Sequence, residues 1–251
     1  MKELIFTALA IGLSTVTGAV AGLFVKRIPH KYNDLILGAA AGIMLAAAIF
    51  GLIIPAINAE VEYSLPMMAG GVILGALLIS ILDRLLPHLH KLAGVETEKH
   101  PDPDGAGKVL LFVTAIAIHK FPEGLAAGVS SGTGDAADAI VVTTGIALQN
   151  IPEALVIVAP LLSIGVSMRR TILISLAIGL ISMLGTAAGY YLVNITALIQ
   201  PFILAFAGGT MLYVISDEMI PETHSHGFEK QATFSLIAGF LLIAVLQKII
   251  G

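Results

Sequence analysis

Eight long apolar runs leave the 251-residue chain little choice of fold. Each run has about the 20 residues that a helix needs to cross a bilayer. The runs are continuous rather than alternating, which excludes membrane-spanning strands. Only 12% of the residues are charged, against roughly a quarter in soluble domains. The sequence therefore predicts an all-α integral membrane protein, one transmembrane domain over 1–251. Its eight spans fall at 4–25, 35–57, 65–82, 109–129, 139–162, 172–193, 202–220 and 234–250.

The distribution of basic residues predicts the orientation, because Lys and Arg favour the cytoplasmic side of a membrane. Ten of the thirteen lie in the first, third, fifth and seventh connections, and two, Lys2 and Lys248, lie on the opposite side. Ten plus two leaves Lys120, which is inside a span. We therefore expect a multi-pass protein of the cytoplasmic membrane with both termini outside the cytoplasm.

Two short polar stretches interrupt the fourth and fifth runs, HKFPEG at 119–124 and QNIPEA at 149–154. They match at an offset of 30 residues and pair His119 with Gln149, Lys120 with Asn150, Pro122 with Pro152, and Glu123 with Glu153. Ionisable residues at membrane depth are costly, so their default interpretation is functional. Residues i and i+4 share a helix face, which aligns His119 with Glu123 and Gln149 with Glu153.

The types of residue in this duplicated motif indicate a metal site. Each proline removes one backbone N–H and frees the carbonyl four residues earlier, at Ile118 and at Leu148. Two such helices facing each other would present an imidazole, two carboxylates and an amide oxygen to one small volume, and these groups bind divalent metal ions. The chain has no cysteine, which excludes thiolate ligands.

The duplicated motif resembles the fourth and fifth transmembrane helices of the ZIP (Zrt-/Irt-like) family of divalent metal transporters, in particular its bacterial and archaeal branch. The resemblance extends to a Gly-rich second helix with Met44 and to the seventh-helix run at 211–224. It implies a homodimer that works by alternating access, with helices one, four, five and six moving against two, three, seven and eight. It also implies that Met44 completes the metal site of His119, Glu123, Gln149 and Glu153, although a lone methionine fits core packing as well.

An internal similarity supports a transporter architecture. The second run contains AAGIML at 40–45, and the seventh contains AGGTML at 207–212. The predicted topology makes these two helices antiparallel, as in the inverted repeats of many transporters. We therefore expect a bundle of three, two and three helices.

Three residues depart from the pattern of binuclear relatives, which bind a second metal ion. Ser182 stands where many have a glutamate, Lys120 where they have an amide, and Asn150 where some have an aspartate. An ammonium group is a cation, so the simplest interpretation is that Lys120 replaces the second metal. We further expect it to stabilise the empty site and to release its proton when metal enters. A purely structural pairing with one glutamate is the alternative.

Further residues, most of them polar, lie at the two ends of the predicted pathway. Met211, Asp217, Glu218 and His224, with His226 beyond them, are candidates for an exit path, and a solvated helix end is the alternative for the histidines. Residues 87–107 have the composition of a flexible cytoplasmic loop and carry His88, His90 and His100, which either collect metal or belong to a solvated linker. Asp135 and Asp138 would attract cations outside, although Asp135 also fits a helix N-cap.

These features predict uptake of a divalent transition metal, zinc first and then iron, manganese, cobalt or cadmium. We expect metal ions and the lipid bilayer as partners, with no organic cofactor. A net charge of −4 is too small to argue for a nucleic-acid partner. A membrane-embedded metallohydrolase, or a metal-gated channel or sensor, would use similar ligands. The hydrolase is disfavoured because its usual motif needs two histidines and only one lies at membrane depth.

Overall fold

The computed structural model describes residues 1–24, 29–92, 106–194 and 197–250, and no strand occurs among them. The α-helices are α1 (Lys2–Phe24), α2 (His30–Ala48), α3 (Ile54–Asn58), α4 (Ser64–Leu92), α5 (Ala106–Gly132), α6 (Ala136–Ser163), α7 (Met168–Val193), α8 (Gln200–Val214), α9 (Ile220–Thr223) and α10 (Glu229–Ile250). Two π-helical turns, Ile49–Ile53 and Ile215–Met219, and a 3₁₀ turn, Ala197–Ile199, complete the described elements.

Within the described residues, seven helical stretches are long and apolar enough to cross a membrane. They are Lys2–Phe24, His30–Asn58, Ser64–Leu85, Ala136–Val158, Met168–Val193, Gln200–Thr223 and Glu229–Ile250. The prediction of an all-α, multi-pass membrane protein is therefore confirmed. The other long helix, α5, has 27 residues and carries Lys120 and Glu123. Eight spans and the location of the termini stay predictions.

Helix α4 is longer than the sequence predicts. The third apolar run ends at residue 82, yet the helix continues through Leu92, so the first part of the predicted 87–107 loop is helical. Residues 93–105, including His100, lie outside the described residues. The histidine-bearing loop stays a prediction.

The two motif prolines lie inside continuous helices, Pro122 in α5 and Pro152 in α6. The regular α-helical pattern is interrupted elsewhere, by the two π-helical turns, for which the apolar pattern of the sequence gives no sign. Each turn is followed closely by a proline, Pro55 after the first and Pro221 after the second. Because π-helical turns inside α-helices occur frequently at functional sites, these two turns are candidate functional positions in addition to the motif.

The long helices pack as two groups. In the first group, α1 packs against α6 and α7, and α5 packs against α7. In the second group, α2 packs against α10, and α4 against α8. The first group therefore contains α1, α5, α6 and α7. The second contains the pairs α2–α10 and α4–α8, which are joined where α2 packs against α8 and α9, and α2 also packs against α6 of the first group.

Glycines allow close backbone contact within each group. A Cβ added to Gly124 would lie 1.9 Å from the carbonyl oxygen of Ser182 in α7, and one added to Gly42 would lie 1.9 Å from that of Leu236 in α10. Every described glycine whose added Cβ would lie within 3.0 Å of another helix's backbone faces a helix of its own group. Small residues give membrane helices their closest packing, so the first group is tightly packed, as are the pairs α2–α10 and α4–α8 of the second group.

The contacts between the two groups involve side chains rather than closely approaching backbones. At Gly145 of α6 an added Cβ would meet the Ala47 side chain of α2, at 3.2 Å, and no backbone atom is among its nearest neighbours. Two hydrogen bonds cross the boundary. Gln247 Nε2 donates to Asp138 Oδ1 at 3.1 Å, and His119 Nε2 lies 3.3 Å from Asp83 Oδ1. Side-chain contacts of this kind can be exchanged without separating tightly packed backbones.

Candidate metal centre

Lys120 lies at the centre of the buried polar site. Its amine donates a hydrogen bond to Glu123 Oε2 at 2.5 Å and to Asn150 Oδ1 at 2.6 Å, and it also pairs with Glu153 Oε2. The lysine is 1% exposed, and the three partners are also buried. Buried charges are tolerated when they are paired and hydrogen-bonded. The two carboxylates of the duplicated motif therefore share one ammonium group.

Asn150 connects this site to helix α1. Its Nδ2 atom donates a hydrogen bond to the carbonyl oxygen of Ile11 at 3.3 Å, while its Oδ1 atom accepts from Lys120. The amide is thus satisfied on both sides, which fixes its orientation. Helices α1, α5 and α6, all of the first group, together hold the lysine and its partners.

His119 faces a second set of charged residues. Its Nε2 atom lies 3.0 Å from Glu218 Oε1 and 3.3 Å from Asp83 Oδ1. Asp83 belongs to α4 and Glu218 to the second π-helical turn, so these contacts join the first group to the second. The three ligand atoms lie within 4.8 Å of one another, a spacing suited to holding a metal ion. We call Asp83, His119 and Glu218 the inner cluster.

A cavity of about 510 Å³ connects these two sets of residues to one end of the molecule. Its polar lining includes His119, Glu123, Glu153, Asp217 and Glu218. Glu222 and Ser225, at the connection between α9 and α10, also line it. The distribution of basic residues predicts that this connection is cytoplasmic. We call this space the inner cavity.

Two of the predicted polar residues are buried without partners. Both amide atoms of Gln149 and the hydroxyl of Ser182 have no hydrogen bond. An unsatisfied buried polar group costs roughly 1–3 kcal/mol, so such a group needs an explanation. Gln149 occupies the position in the second motif that His119 occupies in the first. It is not among the residues that line the inner cavity, so its role as a metal ligand stays a prediction.

The two predicted methionines lie in the apolar core. Met44 is fully buried and Met211 is 1% exposed, and both belong to the same cluster of packed apolar side chains. Neither is among the residues that line the inner cavity. The structure thus does not bring Met44 to the inner cavity, and its part in metal binding stays a prediction.

The remaining exit-path residues are divided between the cavity and the helix ends. Asp217 lines the inner cavity with Glu218. His224 contacts the Ile220 carbonyl at 2.8 Å and Thr233 Oγ1 at 3.0 Å, which links α9 to α10. His226 pairs with buried Asp34 of α2 at 3.0 Å. The structure therefore does not bring these two histidines to His119.

Asp83 is the member of the inner cluster that sequence reasoning missed. It lies one residue beyond the predicted third span, in the run ISILDRLLP at 79–87. The available signal was an acidic residue that directly follows an apolar run and precedes Arg84 and two further leucines. The predicted end of the span at 82 placed this carboxylate in the solvated connection, whereas α4 continues well past it.

The donor set suits exchangeable binding of a borderline metal ion. Imidazole, carboxylate and amide groups bind zinc and its neighbours without the tight hold of thiolates. Membrane-length helices around buried ionisable groups, with a cavity leading to one side, define a polytopic membrane protein with a polar site at membrane depth. In such proteins, intramembrane ionisable residues mark ion or substrate pathways.

Comparison with known proteins agrees with this class. A family model described as ZIP zinc transporter matches residues 104–247. The zinc transporter ZIPB of Bordetella bronchiseptica is 38% identical, over 95% of this chain and 78% of its own length. The zinc transporter GufA of Myxococcus xanthus is 36% identical, over 97% of both chains. The zinc transporter ZupT of Streptococcus mutans is 30% identical, over 96% and 94%. The chain belongs to the ZIP family, and it is a metal transporter rather than an enzyme.

Proposed function

We propose that the protein carries a divalent transition metal, zinc in the first place, into the cytoplasm by alternating access. Iron, manganese, cobalt and cadmium share enough ligand preference to be further substrates. The observation that carries the proposal is the pair of buried carboxylates, Glu123 and Glu153, at the head of the inner cavity. These carboxylates lie at membrane depth, and the inner cavity opens from them toward the predicted cytoplasmic side.

A single metal site with Lys120 in place of a second metal is the finer part of the proposal. The contacts of the lysine with Glu123, Asn150 and Glu153 support it, because an amine lies between the carboxylates that would bridge two ions. Two carboxylates and one ammonium carry a net charge of −1, so a divalent ion would bring the site to +1 if Lys120 kept its proton and to zero if Lys120 released it. The proposed deep site consists of His119, Glu123, Gln149 and Glu153, with Met44 beside it.

The inner cluster is proposed as the next station for the metal. His119 belongs to both sets of ligands, so a small movement of its ring would pass an ion from the glutamates toward Asp83 and Glu218. The contacts at 3.0 and 3.3 Å support this, since they hold the imidazole at the wall of the inner cavity. Asp217 would then receive the ion along the exit path.

Movement of the first helix group against the second would expose the site to the other side. Tight glycine contacts within the groups and exchangeable side-chain contacts between them support this motion. Leu52, Val142 and Ile146 are fully buried in one apolar cluster, and we infer that this cluster closes the outer side of the deep site. A closed outer side together with an open inner cavity is the arrangement expected of a transporter in an inward-open state.

Topology and assembly complete the proposal. Helix α5 would be the eighth span, because its polar residues face other helices rather than lipid. The inverted three, two and three arrangement would then place both termini outside the cytoplasm, in the cytoplasmic membrane. A homodimer is proposed on the family resemblance.

Uptake of radioactive zinc into proteoliposomes tests the proposal. The purified native protein should give saturable flux, and Glu123→Gln, Glu153→Gln and His119→Ala should each reduce it by more than tenfold. Glu229→Gln, at an exposed position of α10, is the matched control and should transport normally. Absence of flux for zinc and the four other metals, with tight metal binding retained, would contradict transport and favour a sensor.

A further inference from the structure

A second polar cavity, of about 370 Å³, lies at the opposite end of α5 and α6 from the inner cavity. The inner cavity contacts α5 at Ile116 and His119 and α6 at Val156. The second contacts α5 at Ser130 and α6 at Asp138. We call it the outer cavity.

The two cavities occupy corresponding places on the two helices that contain π-helical turns. Gly51 and Pro55 line the outer cavity, beside the first turn. Asp217 and Pro221 line the inner cavity, beside the second turn. In both sequences a run of seven residues begins with isoleucine and ends in Ile-Pro, at 49–55 and 215–221. The outer cavity is thus the counterpart of a cavity that already leads to the metal centre.

The lining of the outer cavity is acidic. Glu60, Asp135 and Asp138 contribute carboxylates, and no Lys, Arg or His is among its described lining residues. Asp135 is partly engaged, since its Oδ1 atom caps α6 by accepting from the backbone of Ala137 at 2.9 Å. Asp138 likewise accepts a hydrogen bond, from Gln247, and because such bonds leave the charge in place all three carboxylates contribute negative potential.

Ser130 supplies an independent indication that the cavity takes a polar ligand. It lines the cavity, is 1% exposed, and its hydroxyl has no hydrogen-bond partner. Its neighbours Ser131 and Thr133 donate to backbone carbonyls of their own helix, at 3.1 and 2.8 Å. A buried hydroxyl that forgoes such a bond is left available to an incoming oxygen or cation.

We propose that the outer cavity is a loading site for the substrate metal as a hydrated divalent cation, held by Asp138, Glu60 and Ser130. The proposal rests on the proposed transport function and extends it to the entry side. Among the described residues, the outer carboxylates do not converge as the inner cluster does, so the ion keeps its water shell and binds weakly. Weak attraction at an acidic mouth raises the local ion concentration without trapping the ion.

The chain offers variants that separate charge from structure at this site. Asp138→Asn removes the charge and keeps an oxygen that can accept the hydrogen bond from Gln247. Gln247→Ala removes that bond and keeps the charge. Glu60→Gln removes the second charge, and Glu62→Gln, at an exposed position of the same connection outside the cavity lining, is its matched control.

The first test is the concentration dependence of zinc uptake by proteoliposomes. We expect Asp138→Asn and Glu60→Gln each to raise KM about threefold or more with an unchanged maximal rate, and Gln247→Ala and Glu62→Gln to leave KM unchanged. Added KCl should raise the KM of the native protein and leave that of the double variant nearly constant, because salt screens exposed charges. An unchanged KM in the double variant would overturn the loading site while native flux upholds transport.

Calorimetric titration of the detergent-solubilised protein with zinc tests the loading site without relying on flux. The Asp138→Asn/Glu60→Gln variant should lose one weak binding event and retain the tighter binding of the native protein. Identical isotherms for the two proteins would contradict the loading site, even if the native protein proved not to transport zinc.

Discussion

The Nε2 atom of His119 lies 3.0 Å from Oε1 of Glu218, so a side chain of the duplicated motif contacts the second π-helical turn directly. The contact crosses the boundary between the two helix groups. The imidazole lines the inner cavity together with the two buried glutamates, so an ion in this cavity would meet both sets of ligands.

Loss of the inner cluster should remove a metal-binding site. The double variant Asp83→Asn/Glu218→Gln keeps the shape of both side chains but removes two negative charges beside His119. We expect calorimetry with zinc to show at least about tenfold weaker binding at the inner cluster. Glu222→Gln, which alters another acid of the same cavity, is the matched control and should bind as the native protein does. Unchanged stoichiometry and affinity in the double variant would show that these residues bind no metal.

Replacement of Lys120 by an amide should allow a second metal ion to bind. In Lys120→Asn the two carboxylates lose their shared ammonium, and an amide oxygen takes its place. We expect zinc stoichiometry at the deep site to rise from one to two ions per chain. Without metal the variant should be less stable by about 3–5 kcal/mol, since a buried charge pair has lost one partner. Thermal unfolding with and without zinc measures this, and an unchanged stoichiometry would count against the replacement of a metal by Lys120.

The same variant tests whether Lys120 releases a proton when metal enters. Proton release makes metal affinity rise with pH, by up to about tenfold per pH unit for one proton. The apparent affinity for zinc in the uptake assay should therefore rise more steeply with pH in the native protein than in Lys120→Asn. Identical pH profiles for the two proteins would leave Lys120 with a structural role only.

The sequence predicted the helical fold and the burial of the duplicated motif. Both were predictable because membrane helices must satisfy their backbone internally and place ionisable residues inside the bundle. The place of Asp83 in the inner cluster was not predictable, because it depends on how far α4 continues beyond its apolar run. The direction of His119 was not either, because helical periodicity aligns it with Glu123 but does not specify which neighbouring helix it faces. Each π-helical turn contains one more residue than an α-helical turn, and the spacing of apolar residues in the sequence does not show where this occurs.

Close packing within the first helix group should depend on Gly124. In Gly124→Ala the new Cβ would lie 1.9 Å from the Ser182 carbonyl oxygen, so α5 and α7 must separate. We expect a loss of stability of about 1–3 kcal/mol, measured by thermal unfolding in detergent. The control is Gly70→Ala, where an added Cβ meets no atom within 4 Å. Equal melting temperatures for the two variants would refute close packing at Gly124.

Reversible cross-linking tests relative movement of the helix groups most directly, and the absence of cysteine in the native chain removes background reaction. Ala47→Cys/Gly145→Cys joins α2 to α6 across the boundary, where the two Cβ positions are 3.2 Å apart. Thr7→Cys/Thr143→Cys joins α1 to α6 inside the first group, where the hydroxyls are 3.4 Å apart. We predict that oxidation abolishes zinc uptake by the first pair, that reduction restores it, and that the second pair transports zinc in both states. Undiminished uptake by a fully cross-linked Ala47→Cys/Gly145→Cys protein would contradict alternating access.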